Sequence, residues 1–420
     1  MFYHRLMKRL TSAATVAATL FGAICLSAVP VQAAPPQLTV DVKSAILLDY
    51  ATGKVLFEKD ADAATQPASL TKLMTLHLAY KRIAQGDMKP EDKVTVGTDA
   101  WAAKMPGSSL MFLAPGQNVT VGEIMRGIAI PSGNDAAVAL ANHVAGSVSA
   151  FVDQMNKEAQ SLGFKTMHFT DPSGLNPSNM VTAREYAQFA RLYIQLHPQA
   201  LKELHSVVEF RYPLWENLSP EEKIGKNQGT YQPILQYNRN HLLGQMEGVD
   251  GLKTGFIDES GYNIALTAQR GDMRLIAVVL GVQAPDETSG SRKREQQGAA
   301  LLNWGFSNFV TVKPQLGKVE PVRVWKGAAN EVTLAPENPV ILTVARGLEG
   351  RVTATVEQEK QKIAPVKKGE KLGEMIFSAG GKEITRVPLL SSADVPKGGL
   401  FKRLWDSLRL MVSGWLTKKK

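Results

Sequence analysis

The sequence predicts an α+β domain with a helical insert, followed by a small all-β domain and a C-terminal amphipathic helix. Three observations lead to this architecture. Strand-like runs stand at both ends of the first three hundred residues, with helical periodicity between them. After residue 312 the pattern changes to short β segments separated by glycine or proline turns. The last twenty residues repeat apolar side chains at three- and four-residue steps.

The first domain, expected over residues 34–312, opens with a predicted hairpin. Strand-like residues 45–50 and 54–57 flank a turn that ends at Gly53. Later strands are predicted at 251–257, 263–269 and 274–282, and helices at 70 to about 84, 123–130, 135–145, 182–196 and 294–309. Thr182 is a candidate helix cap, with Glu185 three residues on.

The all-β domain, expected over residues 313–396, carries no cluster that resembles a catalytic site. Its strands are predicted at 321–325, 332–334, 340–344, 352–356, 374–377 and 383–388, and Gly380 with Gly381 marks a hairpin turn. We expect this domain to act as a spacer or docking surface before the terminal helix.

Residues 1–33 are typical of a secretory signal peptide. Arg5, Lys8 and Arg9 precede an apolar stretch, and small residues surround a cleavage position after Ala33. An uncleaved anchor is the alternative, which the short apolar stretch disfavours. Cys25 is the only cysteine and lies in this segment. The mature protein would therefore hold no thiol, which excludes cysteine nucleophiles, disulfides and thiolate metal sites.

The net charge of +9 is concentrated at the two ends of the chain. Residues 1–33 carry +3 and residues 400–420 carry +5, so the remaining body carries only +1. A nearly neutral body gives no reason to expect nucleic-acid binding.

The terminal segment, residues 397–420, is predicted to form an amphipathic helix that lies in a membrane interface. One face would hold Leu400, Leu404, Leu408, Met411 and Trp415, and the other Lys402, Arg403, Asp406 and Arg409. Tryptophan and a basic face suit anionic lipid headgroups. The alternative is a helix docked on the protein's own core. A membrane span is disfavoured because charges interrupt the apolar run.

Three short motifs carry the chemistry of the first domain. Ser69 and Lys72 form an S-x-x-K, Ser132 and Asn134 an S-x-N, and Lys253-Thr254-Gly255 a K-T-G. S-x-x-K and S-x-N are common by chance and K-T-G is rarer, but all three in this order and spacing are far harder to obtain by accident. The trio occurs in class A β-lactamases and penicillin-binding proteins, so we expect a serine acyl-transfer enzyme.

The residue types of the trio fit that reaction. A serine hydroxyl needs a base within hydrogen-bond reach. Lys72 follows Ser69 by three residues, among apolar side chains, and desolvation, a helix N-terminus and a second cation nearby would lower its pKa. The alternative is an ordinary helix with a capping serine and a solvated lysine. Ser132 could relay a proton to the leaving amine, while the amide of Asn134 holds a substrate carbonyl; alternatively this segment is only a turn.

The K-T-G segment is predicted to be an edge strand that pairs with an extended peptide. Lys253 would supply charge, Thr254 could bind a terminal carboxylate, and the backbone N–H groups of Phe256 and Ser69 could form an oxyanion hole. The alternative for Lys253 is a lysine on a surface strand.

Taken together, the trio, the signal peptide, the β domain and the terminal helix resemble low-molecular-mass (class C) penicillin-binding proteins of the D-alanyl-D-alanine carboxypeptidase type, peptidase family S11. The resemblance covers essentially the whole chain and includes the segments around Arg239 and Tyr262. It implies a penicillin-binding, β-lactamase-like domain and removal of the terminal D-alanine from peptidoglycan pentapeptides. β-Lactams would act as covalent inhibitors. The enzyme would be periplasmic, attached peripherally to the outer face of the inner membrane, and would need no metal or other cofactor.

The resemblance also assigns roles to individual residues. Ser69 would be the nucleophile and Lys72 the proton acceptor, Ser132 and Asn134 a second catalytic element, and Lys253, Thr254 and Gly255 part of the substrate site. Arg294 would help to hold the substrate's terminal carboxylate, unless it is a solvated arginine at a helix start. Phe256 occupies a position at which some members of the family have histidine. We expect this difference to change the deacylation rate and the pH profile but not to prevent catalysis, since only the backbone N–H is needed for the oxyanion.

Other functions fit less well. A class A β-lactamase needs a glutamate after the S-x-N motif, but residues 171–184 contain none and Glu185 falls in a predicted helix. A zinc carboxypeptidase is disfavoured because the seven histidines form no H-x-x-x-H pair. A D,D-endopeptidase on the same fold and a non-catalytic peptidoglycan-binding scaffold remain as alternatives.

Overall fold

The computed structural model describes residues 35–417, with side chains described as far as residue 412. The predicted signal peptide with Cys25, and Lys418–Lys420, lie outside the described residues.

The first domain contains nine strands and seven α-helices within the described residues. The strands are β1 Ser44–Asp49, β2 Val55–Lys59, β3 Lys93–Val94, β4 Val119–Thr120, β5 Glu209–Tyr212, β6 Ile234–Tyr237, β7 Val249–Ile257, β8 Gly261–Arg270 and β9 Met273–Val282. The helices are α1 Lys72–Gln85, α2 Val121–Ala129, α3 Asn134–Ala145, α4 Val148–Ser161, α5 Ala183–Leu196, α6 Pro220–Lys223 and α7 Glu287–Asn308.

An antiparallel sheet of five strands, in the order β2-β1-β9-β8-β7, organises this domain. Because side chains alternate across a strand, Ile46 and Leu48 of β1 join the core of the helical insert, whereas Ala45 and Leu47 join the core beneath α7. The sheet therefore separates two apolar cores. β7 is an edge strand of this sheet, as the sequence predicted.

The helices of the first domain differ from the prediction at several places, and the short helix α6 was not predicted. Residues 68–71 form a 3₁₀ turn, so α1 begins at Lys72 rather than at Leu70. Helix α4 was not predicted, and α7 begins seven residues before Arg294 because Asp286 caps it by accepting from the backbone N–H of Ser289. Thr182 caps α5 as expected, since its side chain accepts from the N–H of Glu185.

The second domain is built from β10 Phe309–Val312, β11 Val322–Trp325, β12 Glu331–Val332, β13 Leu334–Ala335, β14 Leu342–Ala345, β15 Val352–Gln358, β16 Gln361–Ile363, β17 Lys371–Ala379 and β18 Lys382–Ser391. Strand β16 was not predicted, and β10 includes Phe309, which was predicted to be helical. β10 pairs with β14, so the strand pairing of this domain begins before residue 312. Gly380 and Gly381 both have positive φ in the β17–β18 turn, which is the conformation that a tight hairpin requires.

Helix α8, Leu400–Thr417, follows the second domain. Its Asp406 is buried and accepts a hydrogen bond from the backbone N–H of Lys326 at 2.7 Å. The apolar side chains that remain highly exposed on α8 are Leu400, Phe401, Leu404, Trp405, Leu408, Met411 and Val412. Among the described helices no single one has both the length and the apolar character to cross a membrane; α3 and α4, bent by 83°, meet the criterion only as a pair.

Candidate active site

Ser69 lies on the 3₁₀ turn that leads into α1. In a 3₁₀ turn side chains three residues apart eclipse each other, and Ser69 Oγ accordingly lies 2.8 Å from Lys72 Nζ. The residue before the serine, Ala68, has a φ of +51°, which a non-glycine residue rarely adopts. The turn therefore directs the serine and the lysine towards each other more closely than an ordinary helical start would.

Lys72 is fully buried and has three polar neighbours. Besides Ser69, its Nζ lies 2.6 Å from Asn134 Oδ1 and 2.7 Å from the carbonyl oxygen of Ser173. Burial lowers the pKa of Lys72 to about 7, and the nearby carboxylates of Asp171 and Asp135 oppose this shift. The alternative of a solvated lysine is thus wrong. Desolvation lowers the pKa of Lys72 as expected, but the neighbouring charges that act on it most are carboxylates rather than a second cation.

Ser132 and Asn134 come from the junction between α2 and α3. Ser132 is buried and has a φ of +67°, while Asn134 is the first residue of α3. The carbonyl oxygen of the Asn134 side chain already faces Lys72. Only its NH₂ group is therefore available to a substrate carbonyl.

Lys253 reaches the same centre from the edge strand β7. Its Nζ donates to Ser132 Oγ at 2.9 Å and to the carbonyl oxygen of Thr254 at 2.9 Å. Burial lowers the pKa of Lys253 well below its ordinary value, and the positive charges of Lys72 and Arg294 lower it further. The alternative of a lysine on a surface strand is wrong, because Lys253 is only 2% exposed.

Gly255 lets β7 approach the turn that carries the nucleophile. A Cβ atom on Gly255 would lie 2.9 Å from the carbonyl oxygen of Pro67 and 3.0 Å from the backbone nitrogen of Ser69. Next along the strand, the ring of Phe256 is 42% exposed and stacks on Tyr262, with ring centroids 4.3 Å apart. Ser69 and Phe256, together with Thr254 and Gly255, line one cleft.

Arg294 lies in the third turn of α7 and lines the same cleft. Its guanidinium donates to the carbonyl oxygens of Gly255 at 3.4 Å and Arg239 at 3.3 Å, whereas its buried Nε has no hydrogen-bond partner in the part of the chain that the structure describes. Burial lowers the pKa of Arg294 to about 10. The alternative of a solvated arginine at a helix start is therefore wrong.

The structure adds residues that sequence reasoning did not assign to the site. Ser173 contributes a carbonyl to Lys72, and Arg239, His241 and Tyr262 line the cleft. The sequence gives only weak indications that these residues belong to the site. Ser173 stands in an Asp-Pro-Ser-Gly sequence that is typical of a turn, and Arg239 stands between two asparagines. Neither pattern indicates by itself which distant residue it will contact.

Comparison with known proteins identifies the family. The family model described as D-alanyl-D-alanine carboxypeptidase, peptidase S11, matches residues 30–284. The chain belongs to this family. A second model, described as the C-terminal domain of penicillin-binding protein 5, matches residues 312–397. The predicted fold class and the predicted serine carboxypeptidase function are thereby confirmed.

Relatives of known sequence and structure agree with this assignment. D-alanyl-D-alanine carboxypeptidase DacC of Escherichia coli is 39% identical over 385 residues, which cover 90% of this chain and 90% of the relative. DacA of the same organism is 36% identical and covers 99% of this chain and 98% of the relative. The crystal structure of penicillin-binding protein 5 from Haemophilus influenzae superposes with a TM-score of 0.76 at 35% identity, covering 87% of this chain and 100% of that structure.

A solved structure with a bound antibiotic is also similar in fold to this chain. Penicillin-binding protein D2 of Listeria monocytogenes, solved in its ampicillin-bound form, superposes with a TM-score of 0.52 at 26% identity and covers 64% of this chain and 99% of that structure. The carboxypeptidase therefore shares its fold with a protein that binds a β-lactam.

Proposed function

We propose that this carboxypeptidase removes the terminal D-alanine from peptidoglycan pentapeptides through an acyl-enzyme on Ser69, with Lys72 as the base. The observation that supports this most strongly is the environment of Lys72 Nζ, which is buried and lies 2.8 Å from Ser69 Oγ. A base whose pKa lies near the working pH is the most effective at proton transfer, and that of Lys72 is about 7.

The hydrogen-bond partners of Lys72 orient its lone pair. A neutral amine has two N–H groups and one lone pair. The Asn134 side-chain oxygen and the Ser173 carbonyl can only accept hydrogen bonds, so they take both N–H groups. The lone pair is then left facing Ser69 Oγ. The Ser69 proton passes to Lys72 as the Oγ–carbonyl bond forms.

The leaving amine receives its proton from the opposite side of the site. Ser132 Oγ accepts from Lys253, so the Ser132 O–H is free to donate to the nitrogen of the departing D-alanine. As the C–N bond breaks, Lys253 can restore the proton to Ser132. Water then attacks the ester on Ser69: Lys72 returns its proton to Ser69 Oγ as the acyl–Oγ bond breaks, and the proton that the water loses restores Lys253.

The edge strand β7 provides binding and transition-state stabilisation in this proposal. An extended substrate adds to β7 as a further strand, and the backbone N–H groups of Ser69 and Phe256 hold the developing oxyanion. Thr254 and Arg294 hold the terminal carboxylate. The buried Nε of Arg294 supports this role, because it has no hydrogen-bond partner among the described residues.

β-Lactams are proposed as covalent inhibitors for the same reason. Their strained amide offers the carbonyl and the carboxylate that the site accepts, and water must then release a more persistent ester from Ser69. The ampicillin-bound relative supports this proposal.

We also propose that the signal peptide, residues 1–33, directs the enzyme to the periplasm and that α8 attaches it to the outer face of the inner membrane. The exposed apolar side chains of α8 support this attachment, with Phe401 89% exposed. The proposed division is a catalytic domain over 34–312, an all-β spacer over 313–396 and an anchoring segment over 397–420.

The test combines a labelling experiment with a substrate pair. Intact-mass spectrometry after penicillin treatment should show one adduct on the wild type and none on Ser69→Ala. The wild type should release D-alanine from acyl-D-Ala-D-Ala and process the C-terminally amidated peptide poorly. An adduct on Ser69→Ala would reject the nucleophile, and equal turnover of both peptides would favour an endopeptidase or esterase.

A further inference from the structure

A loop of residues 171–179 packs against α1 beside the nucleophile. Two successive carbonyls of this loop accept hydrogen bonds from α1: Pro172 from Thr75 Oγ1 at 2.6 Å, and Ser173 from Lys72 Nζ at 2.7 Å. Lys72 and Thr75 are one helical turn apart and share a face of α1. The orientation of Lys72 therefore depends on where this loop places the Ser173 carbonyl.

The carboxylate of Asp171 holds the loop in shape. Its Oδ1 accepts from the backbone N–H and the hydroxyl of Ser173 and from the N–H of Gly174, each at 2.6 Å. Its Oδ2 accepts from the N–H of Asn176 at 2.8 Å and from Asn179 Nδ2 at 2.7 Å. Both oxygens are thus fully engaged with the loop, and three of the five contacts fall on Ser173 and Gly174.

The loop approaches the turn that carries the nucleophile very closely. Gly174 has a φ of +85°, and a Cβ atom there would lie 1.8 Å from the carbonyl oxygen of Ala68. The residue that follows the Ser173 carbonyl therefore touches the turn that carries Ser69. Any change in the loop is passed to both Ser69 and Lys72.

Asp171 is ionised at neutral pH. Burial acts to raise its pKa, but the hydrogen bonds from Ser173, Asn176 and Asn179 outweigh burial and hold the pKa below its ordinary value. The negative charge favours the ammonium form of Lys72. The other charged groups that act on this centre are Asp135 from α3, which also favours the ammonium, and Lys253 from β7, which repels it.

We propose that Asp171 is a positioning residue for acyl transfer: it fixes the Ser173 carbonyl as one of the two acceptors that orient Lys72, and its negative charge lies close enough to stabilise the ammonium form of Lys72. This proposal rests on the proposed role of Lys72 as the base. Asp171 itself touches neither the substrate nor the reacting atoms; it acts through Ser173 and Lys72.

The experiment compares Asp171→Asn with Asn179→Ala across a pH series of kcat/KM for acyl-D-Ala-D-Ala. Asp171→Asn removes the charge and sets an NH₂ group against other donors. Asn179→Ala loosens the same loop without changing any charge. Both variants should lose about tenfold to a hundredfold at the high-pH plateau, because small misplacements of a catalytic group cost rates of that size.

Only Asp171→Asn should shift the acid limb, which is the low-pH part of the curve where kcat/KM rises with pH. Without the negative charge the ammonium of Lys72 is less stable, so its pKa falls and the limb shifts to lower pH by about one unit. A purely structural role would lower the plateau and leave the limb in place, as in Asn179→Ala. An unmoved limb in Asp171→Asn, or a shift to higher pH, overturns the proposal.

Two controls separate this proposal from the role of Lys72. The amount of competent enzyme in each preparation is counted by stoichiometric penicillin labelling. If Asp171→Asn does not fold, Asp171→Ser, which keeps one acceptor oxygen and also lacks the charge, carries the same prediction. If the wild type shows no acid limb, or Lys72→Arg remains active, the base assignment itself fails, independently of Asp171.

Discussion

Lys253 Nζ lies 2.9 Å from Ser132 Oγ, and the two side chains come from positions 121 residues apart in the chain. Both are buried, with 2% and 3% of their surface exposed. This contact joins the K-T-G strand to the S-x-N junction. Burial leaves the Lys253 cation with little solvent, so a substrate carboxylate would supply the anion that favours its charged form.

The contact predicts that Lys253 and Ser132 act as a unit. Lys253→Ala should lower kcat/KM by roughly two to three orders of magnitude, since loss of one member of a desolvated polar pair costs about 2–5 kcal/mol. Ser132→Ala should lower kcat/KM as well, and the double variant should be little worse than the more severe single variant. Steady-state kinetics of the four enzymes tests this; fully additive losses would show that the two residues act separately.

Arg294→Ala provides the comparison within the same experiment. It should cost less than Lys253→Ala and act chiefly through KM, because a carboxylate contact that is equal in ground and transition states changes binding alone. On an amidated substrate, Arg294→Ala should be no worse than the wild type, whereas Lys253→Ala should still lose activity because Lys253 also serves Ser132.

The buried position of Lys72 predicts the pH dependence of acylation. The neutral amine is the active form, and its pKa is about 7 in the folded enzyme. Acylation should therefore rise with pH through about 7 and fall about tenfold for each unit below that value. Lys72→Arg is the matched control, since a guanidinium remains protonated throughout the accessible range. A rate independent of pH between 5 and 9 (about four units around the expected pKa) would contradict Lys72 as the base.

Gly174 should be far less tolerant of substitution than Gly244, although both have positive φ. Gly244→Ala places its Cβ in open space, whereas Gly174→Ala drives a Cβ to 1.8 Å from the Ala68 carbonyl oxygen. We expect Gly244→Ala to cost about 1 kcal/mol of unfolding free energy from the backbone conformation alone, and Gly174→Ala to cost about 1–3 kcal/mol more. Denaturant unfolding measures the stabilities, and penicillin acylation rates should fall only for Gly174→Ala. Similar losses for both would mean that the loop can retreat from Ser69.

Deleting residues 400–420 should release the enzyme from membranes with its peptidase activity retained. A matched variant replaces Phe401, Leu404 and Leu408 with serine and keeps Asp406, whose carboxylate bonds to Lys326. This variant should also lose binding to vesicles that contain anionic phospholipid, because the exposed apolar side chains would no longer be there to become buried in the membrane interface. Sedimentation with vesicles measures both. Binding retained by the truncated enzyme would indicate another anchor, and loss of activity would indicate that α8 supports the core.

The fold class and the chemistry could be predicted from the sequence because their signals are local. Short apolar runs on either side of the Gly271 turn define β8 and β9. Helical periodicity and a capping threonine define α5, and two glycines define the β17–β18 turn. The three catalytic motifs are equally local, since each occupies a single turn or strand. Their order along the chain was enough to indicate serine acyl transfer, and the family match confirms that function.

The features of the site that depend on contacts between residues distant in sequence were decided by the tertiary structure. The 3₁₀ turn before α1, the burial of Lys72 and Arg294, and the contact of Lys253 with Ser132 all arise from packing between elements far apart in sequence. The sequence indicates for Asp171 and Ser173 only that their segment lacks a glutamate, because a turn sequence does not specify which distant residue its carbonyls will face. Hydrophobic periodicity and turn chemistry act over a few residues, whereas desolvation and the pKa values that follow from it depend on the whole folded chain.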